Sequence, residues 1–131
     1  MTSVTRLVAL ALPTALLSAL PAVAATSEYG HTSARDRPLR DGCHDYRYRY
    51  VIKTPTNDWT LETFLVDPTG DTLASGTFIS GTDPRRGSST FRFCRYSTRP
   101  GTFKIRAKVV WYNGSAEHKR WFKPSTFRLT R

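Results

Sequence analysis

The 131-residue sequence predicts an all-β fold, an antiparallel β-sandwich of about six to seven strands with one disulfide. Three observations support this prediction. From Cys43 onward, apolar and polar side chains alternate with a period of two. Turn signals rich in Pro, Gly, Asn and Asp separate these runs, and no amphipathic helical pattern of useful length is present.

The first 25 residues have the three parts of a secretory signal peptide. Arg6 precedes an apolar stretch at residues 7–20, and Ala22-Val23-Ala24 forms a small-residue cleavage site, so cleavage is expected after Ala24 or Ala25. The apolar stretch covers about 14 residues, or roughly 21 Å as a helix, and a hydrocarbon core is about 30 Å thick. We therefore expect a secreted, extracellular protein with no membrane span.

The charge of the chain is strongly unbalanced, with 20 Lys and Arg against 10 Asp and Glu. The formal net charge is +10, and loss of Arg6 with the signal peptide lowers it to +9. A positive field of this size attracts anionic partners over long range. The expected partner of a monomeric chain is an anionic cell-surface polymer or an acidic protein surface. Two cysteines are too few for a four-thiolate metal site, and no cofactor or metal is expected.

Residues 26–42 differ in composition from the rest of the mature chain. They are poor in apolar residues and rich in Ser, Arg, Asp and Gly. Such a segment cannot bury much apolar surface, and we expect a flexible basic tail that precedes a sandwich domain at residues 43–131.

The sandwich region divides into extended runs and turns. In the first run Tyr46, Tyr48 and Tyr50 alternate with Arg47 and Arg49, the pattern of a strand with one buried and one wet face. Strands are expected at 59–66, 72–80, 90–96, 103–111 and 120–130, the last one broken by Pro124. The connections are a turn at 67–71, a long loop at 81–89 and an Asn-Gly turn at 113–115.

The segment Arg99-Pro100-Gly101-Thr102-Phe103-Lys104-Ile105 resembles the Pro-Gly-Thr-aromatic corner of secreted bacterial immunoglobulin-like and fibronectin-type modules. Phe103 stands where many of these modules carry Tyr. The resemblance implies an immunoglobulin-like β-sandwich, in which the corner precedes the sixth strand.

Cys43 and Cys94 are expected to form a disulfide, since an even pair in an exported chain is oxidised. Cys43 has the parity of Arg47 and Arg49, and Cys94 has the parity of Arg92, so both sulfurs point outward. In an immunoglobulin-like strand order the two cysteines then meet at one corner of a single sheet. This differs from the bridge between sheets in antibody domains.

Two basic clusters on connections are the candidate binding residues, because binding residues concentrate on loops. Arg85 and Arg86 lie in the long loop, and Lys119, Arg120 and Trp121 follow the Asn-Gly turn. Because Trp121 and Phe122 are adjacent in a strand, one of them must face water. The charges on the strands themselves are expected to be distributed over both sheets and not focused into one groove, which argues against specific nucleic-acid binding.

No catalytic motif is present, and the sequence predicts no enzyme. His31, His44 and His118 are scattered, and none stands in a known nucleophile or zinc motif. The sequence thus favours a secreted, non-catalytic binding module of unknown specificity. Three alternatives stay open. The first is an exported inhibitor or effector that inserts its 81–89 loop into another protein, and the second is a small hydrolase, which would need His44 or His118 in one pocket with a carboxylate and a nucleophile. The third is a purely structural secreted domain.

Overall fold

The computed structural model describes residues 9–12 and 25–131. The expected signal peptide, residues 1–25, lies almost entirely outside this part, and its cleavage stays a prediction. Within the described residues no helix combines the length and the apolar character needed to cross a bilayer. Nine strands are present in these residues: β1 (Gly30–Ser33), β2 (Arg37–Pro38), β3 (Cys43–Ile52), β4 (Trp59–Val66), β5 (Thr72–Ile79), β6 (Arg86–Cys94), β7 (Gly101–Asn113), β8 (Ala116–Trp121) and β9 (Ser125–Thr130).

The strands form two sheets, which confirms the predicted all-β fold class. The small sheet has the order β1-β3-β6, and the large sheet has the order β2-β9-β7-β4-β5, with β8 also paired to β7. All pairs are antiparallel except β2 with β9. The small sheet thus holds β3 and β6, and the large sheet holds β4, β7 and β8–β9. Immunoglobulin-like sandwiches divide their strands between two sheets in this way.

The core lies between the two sheets and is rich in aromatic rings. Tyr46, Tyr48 and Tyr50 are buried, as their alternation predicts, and the Tyr48 ring stacks on Phe91 with centroids 4.0 Å apart. The Tyr48 hydroxyl and the Thr63 hydroxyl lie 2.8 Å apart and join the sheets by a buried hydrogen bond. Burial raises the pKa of the Tyr48 phenol, although this hydrogen bond opposes the shift. The large sheet contributes five buried side chains of β7: Phe103, Ile105, Ala107, Val109 and Trp111.

The predicted disulfide between Cys43 and Cys94 is present, and it lies within one sheet. The two residues are direct partners in the β3–β6 ladder, in which Tyr46 lies opposite Phe91. Since a slip by one residue would turn every side chain of a strand to the other face, the bridge helps to hold the tyrosines inside.

Residues 26–42 differ from the expected flexible tail, because they contribute a strand to each sheet. β1 pairs with β3, and β2 pairs with β9. Leu39 is buried in the core, Tyr29 and Ala34 are half-buried against it, and the Leu39 amide donates to the Thr130 carbonyl. Gly30 permits the close approach of β1, since a Cβ there would collide with the Val51 carbonyl and the Phe122 ring. The amino-acid composition of residues 26–42 does not predict these strands, because β1 and β2 are held by hydrogen bonds between backbone groups, which nearly every residue type can form.

Two strand boundaries differ from the sequence prediction. β6 begins at Arg86, so the loop expected at 81–89 is only residues 80–85, and Tyr96 lies in a short 3-10 turn beyond the strand. The last predicted strand is two strands, β8 and β9, which follow the same edge of β7 with a break at Pro124. The break places Phe122 in the core and leaves Trp121 half-buried, as the adjacency of the two rings requires.

The turn between β4 and β5 is organised by a buried carboxylate. Asp67 is 5% exposed, and its oxygens accept hydrogen bonds from the Thr69 amide and hydroxyl, the Asp71 amide and the Thr98 hydroxyl. Burial alone would raise the pKa of Asp67, but these hydrogen bonds outweigh it and hold the pKa below the ordinary value. The Thr98 bond also ties this turn to the chain that leads into β7.

We predict that reduction of the Cys43–Cys94 bridge lowers the free energy of unfolding by about 4 kcal/mol, because the open chain regains the entropy of a long loop. The bridge spans a sequence separation of 51 residues. Urea unfolding with and without a reductant measures the loss, and a Cys43→Ser/Cys94→Ser variant should match the reduced protein and be insensitive to reductant. An unchanged urea midpoint after complete reduction would contradict the prediction.

We predict that Asp67 makes stability depend on pH on the acid side. Because its folded pKa is lowered, its contribution is present above the unfolded pKa of about 3.9 and is lost as the pH falls through the folded pKa. Asp67→Asn should cost about 1–3 kcal/mol at neutral pH and should flatten the loss of stability on acidification. Urea unfolding at several pH values measures this, with Asp58→Asn, an exposed carboxylate, as the control. Equal pH profiles for both variants would refute the assignment.

Candidate anion-binding face

The outward side of the small sheet and the adjoining chain that crosses from β1 to β2 carry a group of arginines, which we term the arginine face. It consists of Arg35, Arg37, Arg47, Arg49 and Arg86. Four of these side chains are exposed, and Arg37 is half-buried. They line two adjoining open depressions of about 360 and 410 Å³, which share Ser33, Arg47 and Arg49 as lining residues.

The arginines reach this face for different structural reasons. Arg47 and Arg49 point outward because their neighbours in β3 are the buried tyrosines, and residues two apart in a strand lie roughly 7 Å apart. Arg86 opens β6 and is paired with Val51, beyond Arg49 along the ladder. Arg35 lies where the chain crosses from β1 in the small sheet to β2 in the large sheet.

Hydrogen bonds fix two of the guanidinium groups. Arg37 donates to the Arg47 carbonyl at 3.0 Å, and Arg47 donates to the Ser88 hydroxyl at 2.9 Å. Within residues 9–12 and 25–131, the guanidinium groups of Arg35, Arg49 and Arg86 form no hydrogen bond that meets the usual geometric criteria. The face therefore combines oriented arginines with others whose donors point to solvent.

The charge of the arginine face is not balanced locally. The residues that line the two depressions include no Asp or Glu, and among the described residues none of the five arginines has a carboxylate oxygen within 4 Å. Arg92, on the same side of the sheet, differs because Asp45 lies 3.4 Å from its guanidinium. Like charges on neighbouring positions repel each other, so an anion bound among the arginines would relieve this cost.

The chemistry of the face suits oxyanions. A guanidinium presents planar pairs of donors that match the oxygens of carboxylate, phosphate and sulfate groups. Ser33, Ser88 and His31 line the same depressions and offer further hydrogen-bonding groups. Because the depressions are open and extend along a strand, the face can hold several anionic groups in a row.

Arg85, one of the five residues expected to bind, is used inside the molecule. Its guanidinium donates to the Thr54 carbonyl and hydroxyl, to the Thr56 carbonyl and to the Asn57 amide oxygen. The Arg85 carbonyl accepts from the Ile52 amide at 2.7 Å. These bonds attach the 80–85 loop to the connection between β3 and β4 and engage both terminal nitrogens of the Arg85 guanidinium. Its neighbour Arg86 points to the arginine face.

The other expected binding residues, Lys119, Arg120 and Trp121, lie in β8 of the large sheet. The structure therefore does not bring them together with Arg86. Alternation also separates them: Trp121 is paired with Lys108 on the outer face, whereas Arg120 is paired with the buried Val109. The Arg120 guanidinium lies over the rings of Tyr29 and Trp111, 5.9 Å from each centroid. Only Lys119 and Trp121 share one surface.

The sequence pattern does not predict that Arg35, Arg37, Arg47 and Arg49 contribute to one site. It indicates distributed charge on the strands and tail positions for the first two, and the expectation that no groove gathers the charge is wrong for these residues. The sequence did contain one signal: Arg47 and Arg49 alternate with buried tyrosines, so both side chains must lie on the same face of β3. The position of Arg35 beside them could not be predicted, since it depends on the pairing of β1 with β3 and of β2 with β9.

Comparison with known proteins gives no family: no family model matches the chain, and no curated protein matches it at a significant level. Among the described residues, no three His, Cys, Asp or Glu side chains are grouped so that they could hold a metal ion. The interpretation of the arginine face therefore depends on its geometry and charge.

We predict that substitution of two adjacent arginines, Arg85 and Arg86, changes the free energy of unfolding by very different amounts. Arg85→Gln should lower the free energy of unfolding by about 1–3 kcal/mol, because it leaves the acceptors on Thr54 and Thr56 without their donors. Arg86→Gln should change it by less than about 0.5 kcal/mol, because the Arg86 side chain is exposed and its guanidinium has no hydrogen-bond partner among the described residues. Urea unfolding of both variants is the measurement. Equal losses for the two variants would contradict the structural assignment of Arg85.

Proposed function

We propose that the chain is a secreted, non-catalytic binding module with an immunoglobulin-like fold that binds anionic linear polymers through its arginine face. One observation carries the proposal: five arginines from three separate parts of the chain surround two adjoining depressions whose lining includes no carboxylate. The corner at residues 99–105 and the strand order support kinship with secreted immunoglobulin-like modules. The disulfide is compatible with an extracellular location.

The composition of the face favours a polymer over an acidic protein surface. Stable protein interfaces usually contain a buried apolar or aromatic anchor at their centre. The exposed side chains of the arginine face are Arg, Ser and His, with the aromatic rings of Tyr48 and Tyr50 turned into the core. A flexible polymer with repeated sulfate, phosphate or carboxylate groups needs no such anchor, because it binds by ionic hydrogen bonds along its length.

A second candidate function is inhibition of another protein by the loop between β5 and β6. The observation in its favour is that this loop is held in one shape: the Asp83 carboxylate accepts from the Ile79 amide, and the Tyr50 hydroxyl donates to the Pro84 carbonyl. A rigid loop loses little entropy on insertion into a partner. Recovery of a stoichiometric protein from culture supernatant, abolished by Thr82→Arg at the loop tip, would favour this function over polymer binding.

We predict salt-sensitive binding of heparin, a sulfated polysaccharide used as a probe. Affinity should fall roughly 10- to 100-fold between about 50 and 200 mM salt, because bound counterions are released when arginines contact the polymer. Arg49→Gln and Arg86→Gln should each weaken binding about tenfold at low salt, since each removes a charge-assisted hydrogen bond. Isothermal titration calorimetry at several salt concentrations measures both effects.

Arg99→Gln is the matched control for these variants. Like Arg49→Gln and Arg86→Gln, it removes one positive charge, but from an exposed turn outside the arginine face. Its affinity for heparin should stay within about twofold of the unaltered protein. If Arg99→Gln weakens binding as much as Arg49→Gln, attraction depends only on net charge, and the proposed site is wrong. Affinity that does not change with salt would also overturn the proposal.

A further inference from the structure

The outward side of the large sheet carries a second basic surface, which we term the tryptophan face. Its residues come from β7, β8 and β9 and share the outward parity of those strands: Lys104, Arg106, Lys108, Lys119, Trp121 and Arg128. Only Lys108 has a carboxylate partner in the described part of the chain, Glu62, at 3.1 Å. The remaining basic side chains of the face are exposed.

The centre of the tryptophan face is a packed cluster of a ring and cations. The Arg106 guanidinium lies 4.5 Å from the centroid of the Trp121 ring, and the Lys108 ammonium lies 5.8 Å from it. Phe64, half-buried on β4, lies 6.1 Å from the same ring. An aromatic surface beside basic groups suits an anionic polysaccharide, because sugar rings pack on the aromatic side chain while the acidic substituents bind the cations.

The two basic faces point in opposite directions. Arg47, Arg49 and Arg86 of the arginine face lie on the small sheet and the tryptophan face lies on the large sheet, and the core separates them. The two faces approach each other only at the β2–β9 edge, where Arg37 is paired with Leu129, next to Arg128. Sheets in a sandwich pack about 10 Å apart, and the side chains on both outer surfaces add to this separation. Away from the β2–β9 edge the separation therefore exceeds the Debye length of about 8 Å at physiological ionic strength, so an anion bound among Arg47, Arg49 and Arg86 does not neutralise the tryptophan face.

We infer, on the basis of the proposed function, that the tryptophan face is a second polyanion site and that one molecule bridges two polymer chains. A single extended polymer cannot lie on both faces unless it turns around the edge of the sandwich. Two separate chains can occupy the faces without this bending. The protein then acts as a cross-link within an anionic polysaccharide matrix.

A sandwich-binding experiment tests the inference. Heparin is immobilised at low density, the protein is bound and excess is washed away, and fluorescent heparin is then added. The protein-loaded surface should capture the fluorescent polymer, and a surface without protein should not. The captured polymer is expressed per molecule of bound protein, so that a variant with weaker first binding is compared fairly.

Matched double variants distinguish the contributions of the two faces, and each variant removes two positive charges. Arg49→Gln/Arg86→Gln alters the arginine face, and Arg106→Gln/Lys119→Gln alters the tryptophan face. Both should lower capture of the second polymer about tenfold per bound protein. Lys104→Gln/Arg128→Gln should act in the same direction while keeping the contact between Arg106 and Trp121. The control Arg99→Gln/Arg131→Gln, outside both faces, should stay within about twofold.

The outcomes distinguish this inference from the proposed function. If both tryptophan-face variants capture the second polymer like the control, bridging through that face is refuted, while weaker first binding of Arg49→Gln/Arg86→Gln still supports the arginine face. If first binding is equal in all variants, the proposed function fails as well. If an equal mixture of the two face variants restores capture, the bridge forms by association of protein molecules and not by one molecule with two faces.

Discussion

The alternation of side chains along β3 is the constraint on which the other features depend. Burial of Tyr46, Tyr48 and Tyr50 between the sheets requires that Arg47 and Arg49 face solvent, because successive residues of a strand point to opposite sides. The core and the proposed binding face are therefore two consequences of one register. The Cys43–Cys94 bridge fixes that register at one end of the β3–β6 pair, and the stacked Tyr48 and Phe91 rings support it from inside.

The aromatic core also explains how a strongly basic chain remains folded. Rings bury large areas per residue, and a small domain needs such area to offset its conformational entropy. Most of the basic groups remain on the two outer surfaces, where water and salt screen their repulsion. The charged groups near the interior are satisfied by specific contacts, as with the carbonyl acceptors around Arg85 and the hydrogen bonds to Asp67.

The alternation of apolar and polar residues predicted the central strands well, since a strand with one buried face has an apolar residue at every second position. The run from Phe103 to Trp111 and the tyrosines of β3 are examples, and the parity of Cys43 and Cys94 indicated a bridge within one sheet. The sequences of β1 and β2 contain no such alternation of apolar and polar residues. β2 has only two residues, and β1 is GHTS, so their places are set by backbone pairing to strands far along the chain. For the same reason, Arg35 could not be assigned to the candidate site, and the internal role of Arg85 depends on a loop conformation that no local pattern specifies.

The segment that crosses from β1 to β2 has a consequence for proteolysis. β1 covers one edge of β3, and the crossover that carries the exposed Arg35 is accessible to enzymes that cleave after basic residues. Cleavage after Arg35 would leave a chain that begins at Asp36, which would keep its bridge but would lose β1 and expose the backbone edge of β3. An open edge of this kind recruits strands from other molecules, so trimming at this end would promote aggregation.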